Sequence, residues 1–223
     1  MENPNPISEL TKFNDSLREE FAKHGEIINF SKNDNPFDAD TTIDHFFVII
    51  SGKIKVYDMN FNTNREQTLY LLVKGDMYDV VSLLDGKYHE LAVEVLEKGS
   101  AIKFSISKVR EWMREYPHFE NLIFKQIGNQ IRGLENLVLD ISLLETKDRL
   151  LKLLLRNLDI YEKKGVEFLK NLSHTEIANL IGTVRHVVER HLKEFKKEGL
   201  IEDKKHLTSI KKAENFLKIL DSF

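Results

Sequence analysis

Near the C-terminal end of the chain two arginines, a histidine and a glutamate stand close together: Arg185, His186, Glu189 and Arg190. Side chains of this kind on one short helix can contact phosphates and the edges of bases in a DNA major groove. The surrounding residues, Leu172 to Ile201, read LSHTEIANLIGTVRHVVERHLKEFKKEGLI. Ser173 and Glu176 fit a capping box for a first helix, with Ser173 as N-cap and Glu176 at the third helical position. Ile177, Leu180 and Ile181 face inward and Gly182 supplies the turn. In the second helix Val184, Val187, Val188, Leu192 and Phe195 mark the buried side, which leaves Arg185, His186, Glu189, Arg190 and Lys193 on the other faces. A polar-faced helix held against a partner helix predicts a major-groove reader.

The elements around the reader must hold it. Gly199-Leu200-Ile201 ends the second helix and opens a strand, Asp203 to His206 turns, and Leu207-Thr208 returns. A helix-turn-helix followed by a hairpin is a winged helix. A last helix is expected over 211–220, with Ala213, Phe216, Leu217 and Leu220 on one side. Upstream, Glu145 to Asp148 reads as a hinge and N-cap for a helix over 149–158. Lys163-Lys164-Gly165 reads as a turn and Val166 to Leu169 as a short strand.

Further upstream, Pro117 opens a long helix. Ile123, Ile127, Gln130, Leu134, Leu137, Ile141 and Leu144 are spaced 4, 3, 4, 3, 4, 3, a heptad seam that predicts a coiled-coil dimer contact. Phe124, Ile131 and Val138 form a second stripe seven apart, so the helix has apolar surface both for its own domain and for a partner. Between Gly25 and Ser107 the pattern is short β-rich runs broken by turn residues. Phe46–Ile50 stops at Ser51-Gly52, and Lys53–Tyr57 follows. Gln67–Val73 meets Lys74-Gly75-Asp76, Leu91–Leu96 ends near Lys98-Gly99, and Ala101–Ile106 follows. This spacing suggests a small antiparallel sandwich or barrel. Ile7 to His24 reads as a helix, with Leu10, Phe13, Leu17 and Phe21 on one face. The fold class is therefore α+β. An N-terminal antiparallel β-roll, jelly-roll-like, occupies 1–116, a dimerisation helix and hinge 117–145, and a winged helix-turn-helix domain 146–223.

Composition narrows the function. Residues 146–223 carry 17 basic and 12 acidic side chains, whereas 1–145 carry 16 and 24. A basic C-terminal part suits a polyanion such as double-stranded DNA, and an acidic N-terminal part does not. The chain has no cysteine, which excludes disulfides, thiol catalysis, zinc-finger ligation and cysteine-held iron–sulfur clusters. The longest apolar runs are too short to span a bilayer, and MENPNPISEL lacks the layout of a secretory signal. A soluble cytoplasmic protein without membrane partners is expected. No glycine-rich phosphate loop, metal-ligand cluster or nucleophile–base set is recognisable, so an enzyme is not expected.

This order of elements resembles the CRP/FNR superfamily of bacterial transcription regulators, over nearly the whole chain. The resemblance rests on T-E-I-A-N-L-I-G followed by Arg185 and Arg190, on the interval from Pro117 to Arg149 in K-D-R-L-L, and on Gly52 and Gly75-Asp76 as β-roll glycine turns. It implies a homodimer that binds DNA, with RNA polymerase as a partner where it activates. It also implies that Arg185 reads guanine, a role suited to a fork that can donate to both O6 and N7. Arg190 matches an arginine found in most members. Glu189 could accept from cytosine or orient an arginine. His186 departs from the family's usual glutamate. Ser173 and Thr175 lie where members grip phosphate, and Lys193 and Lys204 are placed for phosphate on the helix flank and in the wing.

The sensor half departs further. In the segment GDMYDVVSLLDGKYHELAVEV, Asp79-Val80 replaces the glycine-glutamate that holds the ribose in cyclic-AMP binders. Glu90-Leu91 replaces the arginine-serine that holds the cyclic phosphate. Leu134-Glu135 stands where those members carry hydroxyls for adenine. A phosphate facing Glu90 would meet repulsion instead of a charge-assisted pair. The effector is expected not to be cyclic AMP or cyclic GMP. No cofactor is expected. Haem sensing of nitric oxide or carbon monoxide is the alternative, with His24, His45, His89, His118, Met59 and Met77 as ligand candidates. A non-DNA-binding interaction module is a more distant one.

Overall fold

The computed structural model describes residues 15–37, 44–156, 169, 171–204 and 207–210. The expected helix over 211–220, the turn at 163–165, nearly all of the strand at 166–169 and the start of the first helix lie outside these residues. The chain divides into two compact units, Met1–Asn136 and Leu137–Phe223.

The first unit is a sheet lined by helices. Helix α1 (Asp15–His24) precedes β1 (Glu26–Phe30), β2 (His45–Asn60), β3 (Arg65–Leu72) and β4 (Met77–Tyr78). Helix α2 (Val80–Asp85), strand β5 (Ala92–Ser105), helix α3 (Ile106–Glu115) and the long helix α4 (Pro117–Leu143) follow. The antiparallel order is β1-β5-β2-β3, with β4 on β2. Alternation in β2 feeds two cores, because successive side chains leave opposite faces. Phe46 and Val48 join Leu17, Phe104, Trp112, Phe119 and Ile123 on the helix side. Phe47 and Ile49 join Phe37, Ile54, Tyr78 and Val95 inside the sheet. Trp112 anchors the helix side, edge-on to Phe21 at 4.7 Å, its indole N–H donating to Glu20 at 3.3 Å.

Two expectations need correction here. Ser51-Gly52 and Lys98-Gly99 read as strand ends, but β2 and β5 run through them as single long strands with register shifts. The glycines do not stop the strands. They let the strands touch: a Cβ on Gly99 would lie 2.0 Å from the Ser51 carbonyl oxygen, and Gly52 holds φ +91°. The second correction concerns the seam on α4. Ile123 is buried in the unit's own core, Ile127 packs on that core, and the Gln130 amide donates to the Met77 carbonyl at 3.2 Å. These three residues serve their own sheet. The exposed apolar residues of α4 are Phe124 (51%), Ile131 (52%), Val138 (62%), Leu139, Ile141 and Leu143, with Leu134 half-buried among them. Two interleaved stripes share the helical period, and the sequence does not say which stays at home.

The second unit holds α5 (Thr146–Arg156), α6 (His174–Leu180), α7 (Arg185–Lys197), β6 (Ile201–Lys204) and β7 (Leu207–Ile210). Leu150, Leu154, Ile177, Ile181, Val188, Leu192, Phe195 and Ile201 form its core. Strands β6 and β7 pair antiparallel, Ile201 with Ile210 and Lys204 with Leu207, so Asp203 and Lys204 are strand and not turn. The unit is a helix-turn-helix followed by a hairpin.

Candidate nucleic-acid interface and sensor site

Helix α6 starts where the sequence places it. The Ser173 hydroxyl accepts from Glu176 N at 3.2 Å, and the Glu176 carboxylate reaches back to Ser173 N, a complete capping box. Gly182, at φ 67°, turns the chain, and Thr183 N donates to the Ala178 carbonyl at 2.9 Å. Arg149 Nη1 donates to the Ile181 carbonyl at 2.7 Å, which fixes the turn to α5.

The outer face of this pair carries Ser173, His174, Thr175, Arg185, His186, Arg190 and Lys193, all exposed. Arg185 Nε donates to Glu189 Oε1 at 2.7 Å, and His174 Nδ1 lies 3.4 Å from the same oxygen. Arg185, and then His174, hold the Glu189 carboxyl below its ordinary range. Because the bond uses Nε, both terminal nitrogens of Arg185 stay available for a two-pronged contact. Arg190 Nε stands 3.9 Å from Glu194. The side chain of Lys204 lies outside the described residues.

Val184 does not sit on the buried side. It is the N-cap residue of α7, without a side-chain cap bond, and is 44% exposed beside Arg185. His191 takes the buried position instead, with Nε2 3.1 Å from Thr146 Oγ1 and Nδ1 3.1 Å from Glu194. His174 and His191 escaped the sequence reading. Position 191 follows Val188 by three and precedes Phe195 by four, a helical spacing that carries the signal for burial.

In the first unit the expected effector residues separate. Asp79 is buried in the left-handed region at φ 68° and caps α2. Val80, expected beside it in the effector pocket, is instead buried in the helix-side core. Glu90 is exposed, and Leu91 packs half-buried on the inner core. Leu134 is half-buried and Glu135 exposed on α4. The haem-ligand candidates lie in different settings. Met77 is buried in the helix-side core, His24 stands edge-on to Trp112, His89 faces Asp79 and His118 is exposed. Among the described residues no group of three His, Cys, Asp or Glu side chains could hold a metal ion. Nor is any helix among them long and apolar enough to cross a membrane.

Comparison with known proteins follows this division. Residues 27–116 match the cyclic nucleotide-binding domain and 148–218 the Crp-like helix-turn-helix domain. A CRP-like cAMP-activated global transcriptional regulator of Mycobacterium tuberculosis is 23% identical over 177 residues, 78% of this chain and 79% of that protein. A global nitrogen regulator of Nostoc is 25% identical over 180 residues, 77% and 79% of the two chains. Among solved structures, a CooA mutant from Carboxydothermus hydrogenoformans superposes with a TM-score of 0.77 at 20% identity, covering 98% of this chain and 97% of that one. FixK2 from Bradyrhizobium japonicum gives 0.74 at 15%, covering 87% and 96%.

Proposed function

The chain belongs to the CRP/FNR superfamily of transcription regulators, and on that premise we propose that it acts as a homodimer reading near-palindromic DNA under an effector other than cyclic AMP. It is a regulator with a helix-turn-helix DNA-binding domain, not an enzyme. In this reading residues 1–116 sense, 117–145 join two copies and 146–223 bind DNA, in the cytoplasm.

One observation carries the reading. Arg185 and Arg190 project from the exposed start of α7, and Glu189 holds Arg185 by Nε alone. Both arginines then read base edges, with Ser173, Thr175, Lys193 and, from the wing, Lys204 on phosphate, and Glu189 as the residue that positions Arg185. The partner copy packs on Phe124, Ile131, Leu134, Val138 and Ile141. Their 7, 3, 4, 3 spacing is that of a coiled-coil seam, and their exposure leaves apolar area for a second helix.

Selection from a random duplex pool tests the whole. Enriched sites are expected to be near-palindromes with half-site centres about one helical turn apart. Enrichment of a single unrepeated half-site overturns the dimer, and no enrichment overturns sequence reading. Against cyclic AMP stand the exposed Glu90, with a carboxylate where a phosphate needs a cation, and the buried anion of Asp79. Calorimetric titration is expected to give no cyclic AMP binding at micromolar concentration. The reading includes no cofactor, and absence of a Soret band from the purified protein is its check.

A further inference from the structure

The Asp79 side chain is completely buried, yet the protein uses only one of its oxygens. Oδ1 accepts from the Ser82 hydroxyl at 2.6 Å and from Ser82 N at 3.4 Å. Oδ2 has no hydrogen-bond partner among the described residues, and neither has His89 Nδ1. The two side chains approach no closer than 3.6 Å, between His89 Nδ1 and Asp79 Oδ1, which is too long for a hydrogen bond of useful strength. A buried carboxylate oxygen without a donor is costly. Capping α2 needs only Oδ1, and asparagine would cap as well without the charge.

The surroundings define what could pair with that oxygen. Burial pushes the Tyr70 phenol up to about 12, and the negative charge of Asp79 adds to the shift. Tyr78 is pushed up by the same two causes, so both phenols lie within the field of Asp79. Tyr78 stacks on Phe37 with ring centroids 4.7 Å apart, and Tyr70 and Leu91 pack half-buried on the same inner core. An uncompensated carboxylate beside two phenols favours a cation and repels an anion. Residues 86–91, between α2 and β5, bring His89 over the carboxylate with a fifth of its side chain exposed. Its neighbours Tyr88 and Glu90 are exposed, and Glu90 adds a second negative charge beside His89.

We propose that Asp79, Tyr70, Tyr78 and His89 bind a small organic cation with a primary ammonium or guanidinium group, and that this cation is the effector. One N–H donates to Asp79 Oδ2. A second donates to His89 Nδ1 in the tautomer that leaves this nitrogen its lone pair. The alkyl part lies against the tyrosine rings. Only the word effector rests on the regulator reading, because binding at Asp79 is measured without DNA.

The test uses the full chain and two probes of the same length and opposite charge, butylammonium and butyrate. Amide resonances are followed at pH 8, and affinity for the selected duplex is measured separately. Butylammonium is expected to shift the amides of Tyr70, Asp79, Ser82 and His89 saturably, at a concentration at least tenfold below any effect of butyrate. Asp79→Asn is expected to weaken butylammonium at least tenfold while melting no lower than the parent. Equal response to both probes, or equal binding by parent and Asp79→Asn, overturns the site. Binding at Asp79 that leaves DNA affinity unchanged overturns the effector role. Failure of the site with DNA reading intact leaves the regulator standing.

Discussion

Asp79 and Glu189 are carboxylates in similar company, each beside a histidine, and their surroundings make them opposites. Asp79 lies inside the first unit with one oxygen unpartnered among the described residues. Glu189 is a third exposed and shares one oxygen between Arg185 at 2.7 Å and His174 at 3.4 Å. Exposed ion pairs add little to stability, so the Glu189 cluster gains its value by fixing the direction of Arg185. A buried carboxylate without a donor subtracts from stability, so Asp79 waits for a partner. One site is complete and faces outward; the other is incomplete and faces inward.

The largest effect concerns duplication of the outward site. If each reader needs its twin, separating the copies should remove most of the affinity even though Arg185 and Glu189 are untouched. Leu134→Lys with Ile141→Lys places like charges along the exposed stripe of α4. Sedimentation is expected to show monomers, and affinity for the selected duplex is expected to fall on the order of 100-fold, as two linked contacts become one. Gln130→Ala, which removes only the bond to the Met77 carbonyl, should leave the dimer intact. An intact dimer of the double lysine variant would sink the assignment of this stripe.

Next comes the outward cluster itself. Arg185→Ala and Arg190→Ala are each expected to cost about 1–3 kcal/mol on the preferred duplex and much less on a scrambled one. Lys193→Ala should weaken both duplexes alike and reduce the salt slope by about one. Glu189→Gln should fall between them, because Arg185 keeps its charge and loses its brace. Equal losses on both duplexes for the two arginines would assign them to phosphate and move the readout to His186 and Val184.

A third carboxylate sharpens the inward half. Burial raises Asp76 to about 6, against the opposing hydrogen bonds from Val73 N at 2.8 Å and from Gln126. The folded value lies above the unfolded one, so the folded state favours the protonated acid. The stabilisation from that proton is complete below about pH 4 and is lost as pH rises through about 6. It is worth on the order of 1–2 kcal/mol, allowing for partial exposure. The Tm of the parent minus that of Asp76→Asn should therefore fall between pH 4.5 and pH 7.5. A difference that stays constant over this range removes Asp76 as the titrating group.

The outward site was largely legible because its rules are local. A cap three residues before a glutamate, a glycine turn and a 3.6-residue period locate Ser173, Gly182 and α7 without knowledge of the rest. Val184 and His191 misled for the same reason: at a helix start an apolar residue can be left outside, and a histidine can be buried once Thr146 and Glu194 satisfy both nitrogens. The inward site depends on contacts distant in sequence. Gly52 and Gly99 read as breaks because nothing local says that one strand passes against the other. Likewise, Ile123 belongs to its own sheet and Ile131 lies exposed, although each stands in a stripe of seven-residue period. The cap that Asp79 forms on α2, and the unpartnered oxygen it leaves, emerge only in the fold.

The smallest effect tests whether the two caps differ as their surroundings do. Asp79 caps α2 from inside, whereas Ser173 caps α6 at the surface through a reciprocal box with Glu176. Ser173→Ala deletes one acceptor and should cost about 1 kcal/mol of stability in the DNA-binding unit, read from its thermal or denaturant midpoint. Ser173→Asp restores the acceptor and suits the positive end of the helix, so the midpoint should return to the parent value or above it. The same aspartate sets a negative charge where a phosphate is proposed to lie. DNA affinity should then fall for Ser173→Asp although the fold is as stable as before, most clearly at low salt. Full DNA affinity in Ser173→Asp would make Ser173 a cap alone, with Thr175 left as the phosphate contact on α6.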